Sequence, residues 1–232
     1  MSPTDRAARV AGALYLAMVI TGLFSLMYVP SKLIVSGNAT TTATNILAHE
    51  TLFRLGIVAE LIGLVIFILV VMAIHRLLGG VSTTLASHMV ALALVSAGVG
   101  FLNVLNHFAG LILFRGADFL AVFDKPRREA LAMLFLRLYD QGVVINMIFW
   151  GLWLLPFGLL VMRSGFLPRI LGVLLIVNCF AWTAESLTSL LLPAYTSVVR
   201  RYATIPETGE LWMMAWLLVR GARVRPLAAS AT

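Results

Sequence analysis

Long apolar runs decide what this chain can fold into. A helix rises about 1.5 Å per residue, so crossing a hydrocarbon layer about 30 Å thick takes roughly 20 apolar residues. Six segments reach or approach that length: 10–29, 55–74, 85–114, 141–162, 170–192 and 208–219. The expected fold is all-α, a polytopic transmembrane helix bundle of about six spans forming one domain over residues 1–232. His75 and Arg76 close the second run, Pro193 stops the fifth, and Arg220 ends the short sixth. Pro206 falls near the first turn of the sixth, where a missing N–H costs nothing. Arg6 and Arg9 flank the first run, which is longer than the 7–15 residues usual in a secretory leader and has no small-x-small site after it. A retained helix is expected there.

Charge then separates lipid from water. Only 12% of the residues are charged, about half of what covers a soluble domain. A net charge of +7 would point to nucleic acid in a soluble chain. Here the bases cluster between apolar runs, so the expected partner is the lipid bilayer and not nucleic acid. The chain has no phosphate-binding loop and no nucleophile motif, which argues against ATP hydrolysis or DNA reading. Its one cysteine, Cys179, lies within an apolar run. It can form no intrachain disulfide and reads as a small core residue.

The bases also carry orientation, because Lys and Arg favour the cytoplasmic side. With the N-terminus inside, the inner segments hold Arg6, Arg9, Arg76, Arg163, Arg169, Arg220, Arg223 and Arg225. The outer segments hold Lys32, Arg54, Arg115, Lys125, Arg127, Arg128, Arg137, Arg200 and Arg201. The counts are nearly even, but the inner loops are much shorter and so denser in charge. Both termini are expected in the cytoplasm. Between the third and fourth runs, the stretch from Pro126 alternates Leu131, Leu134 and Phe135 with Arg127, Arg128 and Glu129. It reads as an amphipathic helix on the membrane surface. A second such piece is expected within 38–53, with Asn45 as its N-cap. Gly165 to Pro168 reads as a tight hairpin, and Ala93/Ala97 and Ser96/Gly100 as small pairs for close helix packing.

Polar groups inside a span are costly unless paired or wet, so each is a candidate site residue. Counting from span centres, Glu60, His107, Asn146, Glu185 and Glu210 all lie about 5–9 Å to the outer side. Asn103 and Asn106 share a helix face with His107. Asn178, Trp182, Glu185 and Ser189 draw one stripe along the fifth run, and Tyr139 and Asn146 another along the fourth. The expected ligand-binding set is Glu60, Asn103, His107, Asn146, Glu185 and Glu210, lining a polar pocket open to the outer side.

Two chemistries suit such a pocket. It can take a proton, a cation or a small molecule for transport or sensing. Alternatively His107, Glu60 and Glu185, with His49 or Asp140 at the rim, could ligate a divalent metal whose bound water attacks a lipid. No H-x-x-x-H or H-E-x-x-H spacing supports the metal. The competing role is structural: interhelical hydrogen bonds that fix helix register, in a chain that serves another membrane protein as partner. His75 and His88 read as interfacial. Trp150, Trp153, Trp182, Trp212 and Trp216 read as packing or belt residues. The residues specify no cofactor and no oligomeric state.

Phe149-Trp150-Gly151-Leu152-Trp153-Leu154-Leu155-Pro156-Phe157-Gly158 is followed by Ser164-Gly165-Phe166-Leu167-Pro168-Arg169-Ile170-Leu171-Gly172. Arg9-Val10-Ala11-Gly12-Ala13-Leu14-Tyr15-Leu16 precedes them, as does Glu50-Thr51-Leu52-Phe53-Arg54. The order resembles a bacterial family of six-span membrane proteins known only as a domain of unknown function. The resemblance implies a bacterial inner-membrane location and brings no activity, substrate or catalytic residue. Pro156 within the fourth run is expected to kink it.

Overall fold

The computed structural model describes residues 3–222. Arg223 and Arg225, counted above among the inner bases, lie outside the described residues. Every regular element among the described residues is helical. In chain order they are α1 (Pro3–Gly22), a π-helical segment (Leu23–Tyr28), α2 (Val29–Leu33), α3 (Ala39–Ala48), α4 (Glu50–Leu78), α5 (Thr83–Asn103) and α6 (Leu105–Arg115). A short 3₁₀ turn, Asp118–Leu120, precedes α7 (Lys125–Leu152), α8 (Leu154–Arg163) and α9 (Arg169–Leu191). A second, Pro193–Tyr195, leads into α10 (Thr196–Glu207) and α11 (Gly209–Val219).

Five stretches among the described residues are long and apolar enough to cross a membrane: Thr4–Leu33, Glu50–Leu78, Thr83–Arg115, Lys125–Arg163 and Arg169–Leu191. The sixth expected run yields only α11, 11 residues long, or about 16 Å. Thr208 separates it from α10. Residues 196–207, read above as part of a connecting segment, are themselves helical.

Three of the long stretches are interrupted, each for a local reason. In the first, Val29 donates its N–H to the Phe24 carbonyl, one residue further back than in an α-helix. Pro30 follows and has no N–H to give. The third breaks at Val104, where His107 N–H turns back to the Val104 carbonyl at 3.0 Å. The fourth breaks at Trp153, one turn before Pro156. That is where a proline leaves a carbonyl without its donor, and the kink expected there takes this form.

Two sequence expectations change. The stretch from Pro126 is no separate surface helix; it forms the first turns of α7 and continues into the fourth run. Between Arg127 and Gln141 the chain has no Gly or Pro and is rich in Ala, Leu, Arg and Met, so nothing ends the helix. The helix at 39–48 is capped by Asn38, whose Oδ1 accepts the Thr41 N–H at 2.9 Å. Asn45 instead sits inside α3 and donates to the Leu33 carbonyl at 3.4 Å.

The chain divides into two compact units. One takes the described residues up to Leu16, then Ile68–Leu94, and the described residues from Met147 on. The other takes Ala17–Phe67 and Val95–Asn146. In the first unit, α8 and α9 meet through glycines: a Cβ at Gly158 would lie 2.7 Å from the Gly172 carbonyl oxygen. Trp153 is buried and stacks on Phe157 with ring centres 5.5 Å apart. In the second unit, Val29, Leu33, Ala43, Ile46, Phe53, Ile57, Val104, Leu111, Ala132 and Leu136 form a continuous core. α7 brings Ala132 and Leu136 to it. Its Glu129 is buried and accepts the Thr40 hydroxyl at 2.8 Å.

Candidate functional site

In the second unit, α4, α6 and α7 bring three of the chain's polar groups together. The Tyr139 hydroxyl donates to Glu60 Oε1 at 2.7 Å. The Tyr139 ring lies flat on the His107 imidazole, with centres 3.7 Å apart. Phe53 meets the imidazole edge-on, with ring centres 5.4 Å apart. The ring is thus held on two sides, and His107 Nδ1 comes to rest 3.8 Å from Glu60 Oε2. Neither atom has a hydrogen-bond partner, although both are buried. The side chains of His107 and Glu60 are 7% and 12% exposed.

Helix irregularities frame this pair. His107 sits one turn past the break at Val104, where Asn103 Nδ2 donates to the Tyr139 carbonyl at 2.9 Å. Asn106 backs it by donating to Asn103 Oδ1 at 3.0 Å. Beside His107 lies a small cavity lined by Ser25, Val29, Pro30, Ile34, Phe53, Gly56 and Ile57. It has room for about one water molecule. Ser25 belongs to the π-helical segment, and π segments are frequent at functional sites.

Asn146 lies in the same unit but pairs elsewhere. Its Oδ1 accepts the buried Ser96 hydroxyl at 3.0 Å. Glu185 and Glu210 belong to the first unit. Glu185 is buried on α9 and takes Arg200 Nε of α10 at 2.7 Å. Glu210 accepts the Tyr15 hydroxyl on one oxygen and Asn178 Nδ2, at 3.4 Å, on the other. Asn178 Nδ2 also donates to the Glu207 carbonyl at 3.2 Å. Glu207 Oε1, Asn178 Oδ1 and Ser189 Oγ are buried without partners. Burial pushes the Glu207 carboxyl up to about 8; the Glu185 carboxyl adds to the rise and Arg200 opposes it.

Sequence reasoning placed Glu60, His107 and Asn103 in the ligand-binding set and gave Tyr139 only a place in a polar stripe, although Tyr139 touches all three. It named Glu185 without Arg200 and Glu210 without Tyr15. The signal for Tyr139 was its heptad spacing from Asn146. Tyr15 carried no signal, being an isolated tyrosine in an apolar run. Among the described residues, no three His, Cys, Asp or Glu side chains gather closely enough to hold a metal ion.

Membrane-length apolar helices with acids and a histidine buried among them define a transmembrane helical protein carrying internal polar clusters. The chain belongs to the family described as Domain of unknown function (DUF4386), whose profile matches residues 10–221. This is in keeping with the resemblance read from the span-four and hairpin motifs. No curated protein and no solved structure matches the chain.

Proposed function

We propose that this is a multi-pass protein of the bacterial inner membrane, with both termini in the cytoplasm, that binds and carries or senses a small molecule or ion at the Glu60–His107–Tyr139 cluster. The observation that carries this reading is the bare pair of atoms, Glu60 Oε2 and His107 Nδ1, 3.8 Å apart and buried. A buried polar atom left unpaired costs on the order of 1–3 kcal/mol. A purely structural cluster would be expected to close that gap. At 3.8 Å the two atoms are too far apart to bond each other. Both can reach one small atom placed between them. Tyr139 fixes the carboxylate and stacks on the imidazole, so the receiving geometry exists before a guest arrives.

Glu60 then supplies charge or an acceptor, His107 supplies an acceptor or donor according to its protonation, and Asn103 anchors Tyr139 through the backbone. The pocket opens to the outer side in this reading, and the dense bases of the short inner loops favour cytoplasmic termini.

The test is the purified chain in lipid nanodiscs, titrated with sodium, potassium and zinc chloride while thermal stability is followed. The same chain in vesicles is assayed for proton flux with an entrapped pH dye. Stabilisation or flux that disappears in both Glu60→Gln and His107→Gln supports the site. Folded wild-type protein that shows neither response, or variants that respond like it, would overturn it.

A further inference from the structure

α10 is built with three distinct faces. Thr196, Val199, Ala203, Pro206 and Glu207 are the less exposed ones, and this side turns toward α9, where Arg200 meets Glu185. Tyr195, just before the helix, and Val198, Tyr202 and Ile205 within it step by three, four and three. All are between 51% and 78% exposed. Ser197, Arg201 and Thr204 form a third, polar and exposed stripe. A helix in water has no use for the second stripe, and a helix crossing lipid has no use for the third. At 12 residues, about 18 Å, α10 is also too short to cross a bilayer.

The cations belong to the same picture. Arg200 engages Glu185 through Nε, yet its side chain remains 61% exposed. Glu185 and Glu207 are the acids that face it. Arg201 has no acid within ion-pair distance among the described residues. Tyrosines with an apolar body and a polar tip settle at the headgroup level. The planar fork of arginine matches phosphate oxygens.

We propose that α10 lies in the plane of the membrane interface and that Arg201, beside Arg200, binds the phosphate of an anionic phospholipid headgroup. Val198, Tyr202 and Ile205 dip into the acyl boundary, while Ser197 and Thr204 face water. Arg200 joins this lipid contact to the buried Glu185. The assignment is independent of the Glu60–His107 site, and neither readout below involves those residues.

The experiment places a nitroxide at one position at a time, using Ser197→Cys, Val198→Cys, Tyr202→Cys and Thr204→Cys in a Cys179→Ala background in vesicles. Collision with oxygen is compared with collision with a water-soluble nickel chelate. The oxygen-to-nickel ratio is expected to be several-fold higher at 198 and 202 than at 197 and 204. Equal ratios at all four positions, whether aqueous or membrane-deep, overturn the in-plane placement. In parallel, wild-type chain and Arg201→Gln are extracted from vesicles of phosphatidylglycerol and phosphatidylcholine in equal parts, and the retained lipid is weighed by mass spectrometry. Wild type is expected to retain phosphatidylglycerol preferentially and Arg201→Gln to lose that preference. An unchanged preference in the variant overturns the headgroup assignment.

Discussion

Glu185 and Glu210 in the first unit and Glu60 in the second are buried in opposite ways. In the first, Glu185 meets the guanidinium of Arg200, and both oxygens of Glu210 have donors, from Tyr15 and Asn178. In the second, Glu60 has a donor on one oxygen and faces a bare imidazole nitrogen with the other. Burial is similar, but satisfaction is not. A buried charge with its partner holds a fold together, and removing one side is costly. A buried polar atom kept open stores free energy that a guest can release. Under the proposed function, stability and ligand response become separable properties of different residues.

The largest expected effect tests the first half of that contrast. Arg200→Ala leaves Glu185 buried without its cation and should cost on the order of 3 kcal/mol, read as denaturant unfolding in micelles. A loss under about 0.5 kcal/mol would mean that water already reaches Glu185. Tyr15→Phe removes one donor from Glu210 while keeping the ring, and should cost about 1–2 kcal/mol in the same assay.

Next in size is a pH effect. The Glu207 carboxyl is held protonated to a higher pH in the fold than in the unfolded chain, its value being raised from 4.5 to about 8. Its stabilising share is therefore complete below about 4.5 and is lost as pH rises through about 8. The melting temperature should fall between pH 5 and pH 9, and Glu207→Gln should flatten that slope. A rising slope in the wild type contradicts the sign. The smallest expected effect is the most telling for the second unit. Glu60→Gln keeps an acceptor for Tyr139 and removes the bare carboxylate oxygen, so stability should move by less than about 1 kcal/mol while ligand response is lost. A large stability loss instead would return Glu60 to a structural role.

What could be read in advance follows from helix periodicity. The Asn178–Ser189 stripe, the Asn103–His107 face and the five long runs are properties of one helix each, and spacing along one helix is visible in sequence. The partners are not, because Tyr139 and Glu60 lie 79 residues apart and Tyr15 and Glu210 lie 195 apart. Nothing local says which apolar helices are neighbours. The short sixth run, 208–219, is helical as α11, but its 11 residues are fewer than a crossing needs, and the helix before it, α10, was not read in advance. The merged α7 was missed because charged residues on an amphipathic stretch look like a surface element even when they continue a longer helix.

The π-helical segment at Leu23–Tyr28 can be viewed as an α-helix with one surplus residue wound in. Each residue turns an α-helix by about 100°, so removing the surplus would turn the side chains on one side of it by a little more than a right angle relative to the other. Ser25, which lines the cavity beside His107, stands on that stretch, and Val29 follows it directly. The first helix thus brings Ser25 to the cavity wall on a stretch whose hydrogen-bond register differs from that of the turns before it. Deleting one residue within 23–28 removes the surplus. It should leave a helix with α-type amide exchange protection throughout that stretch and turn Ser25 away from the cavity.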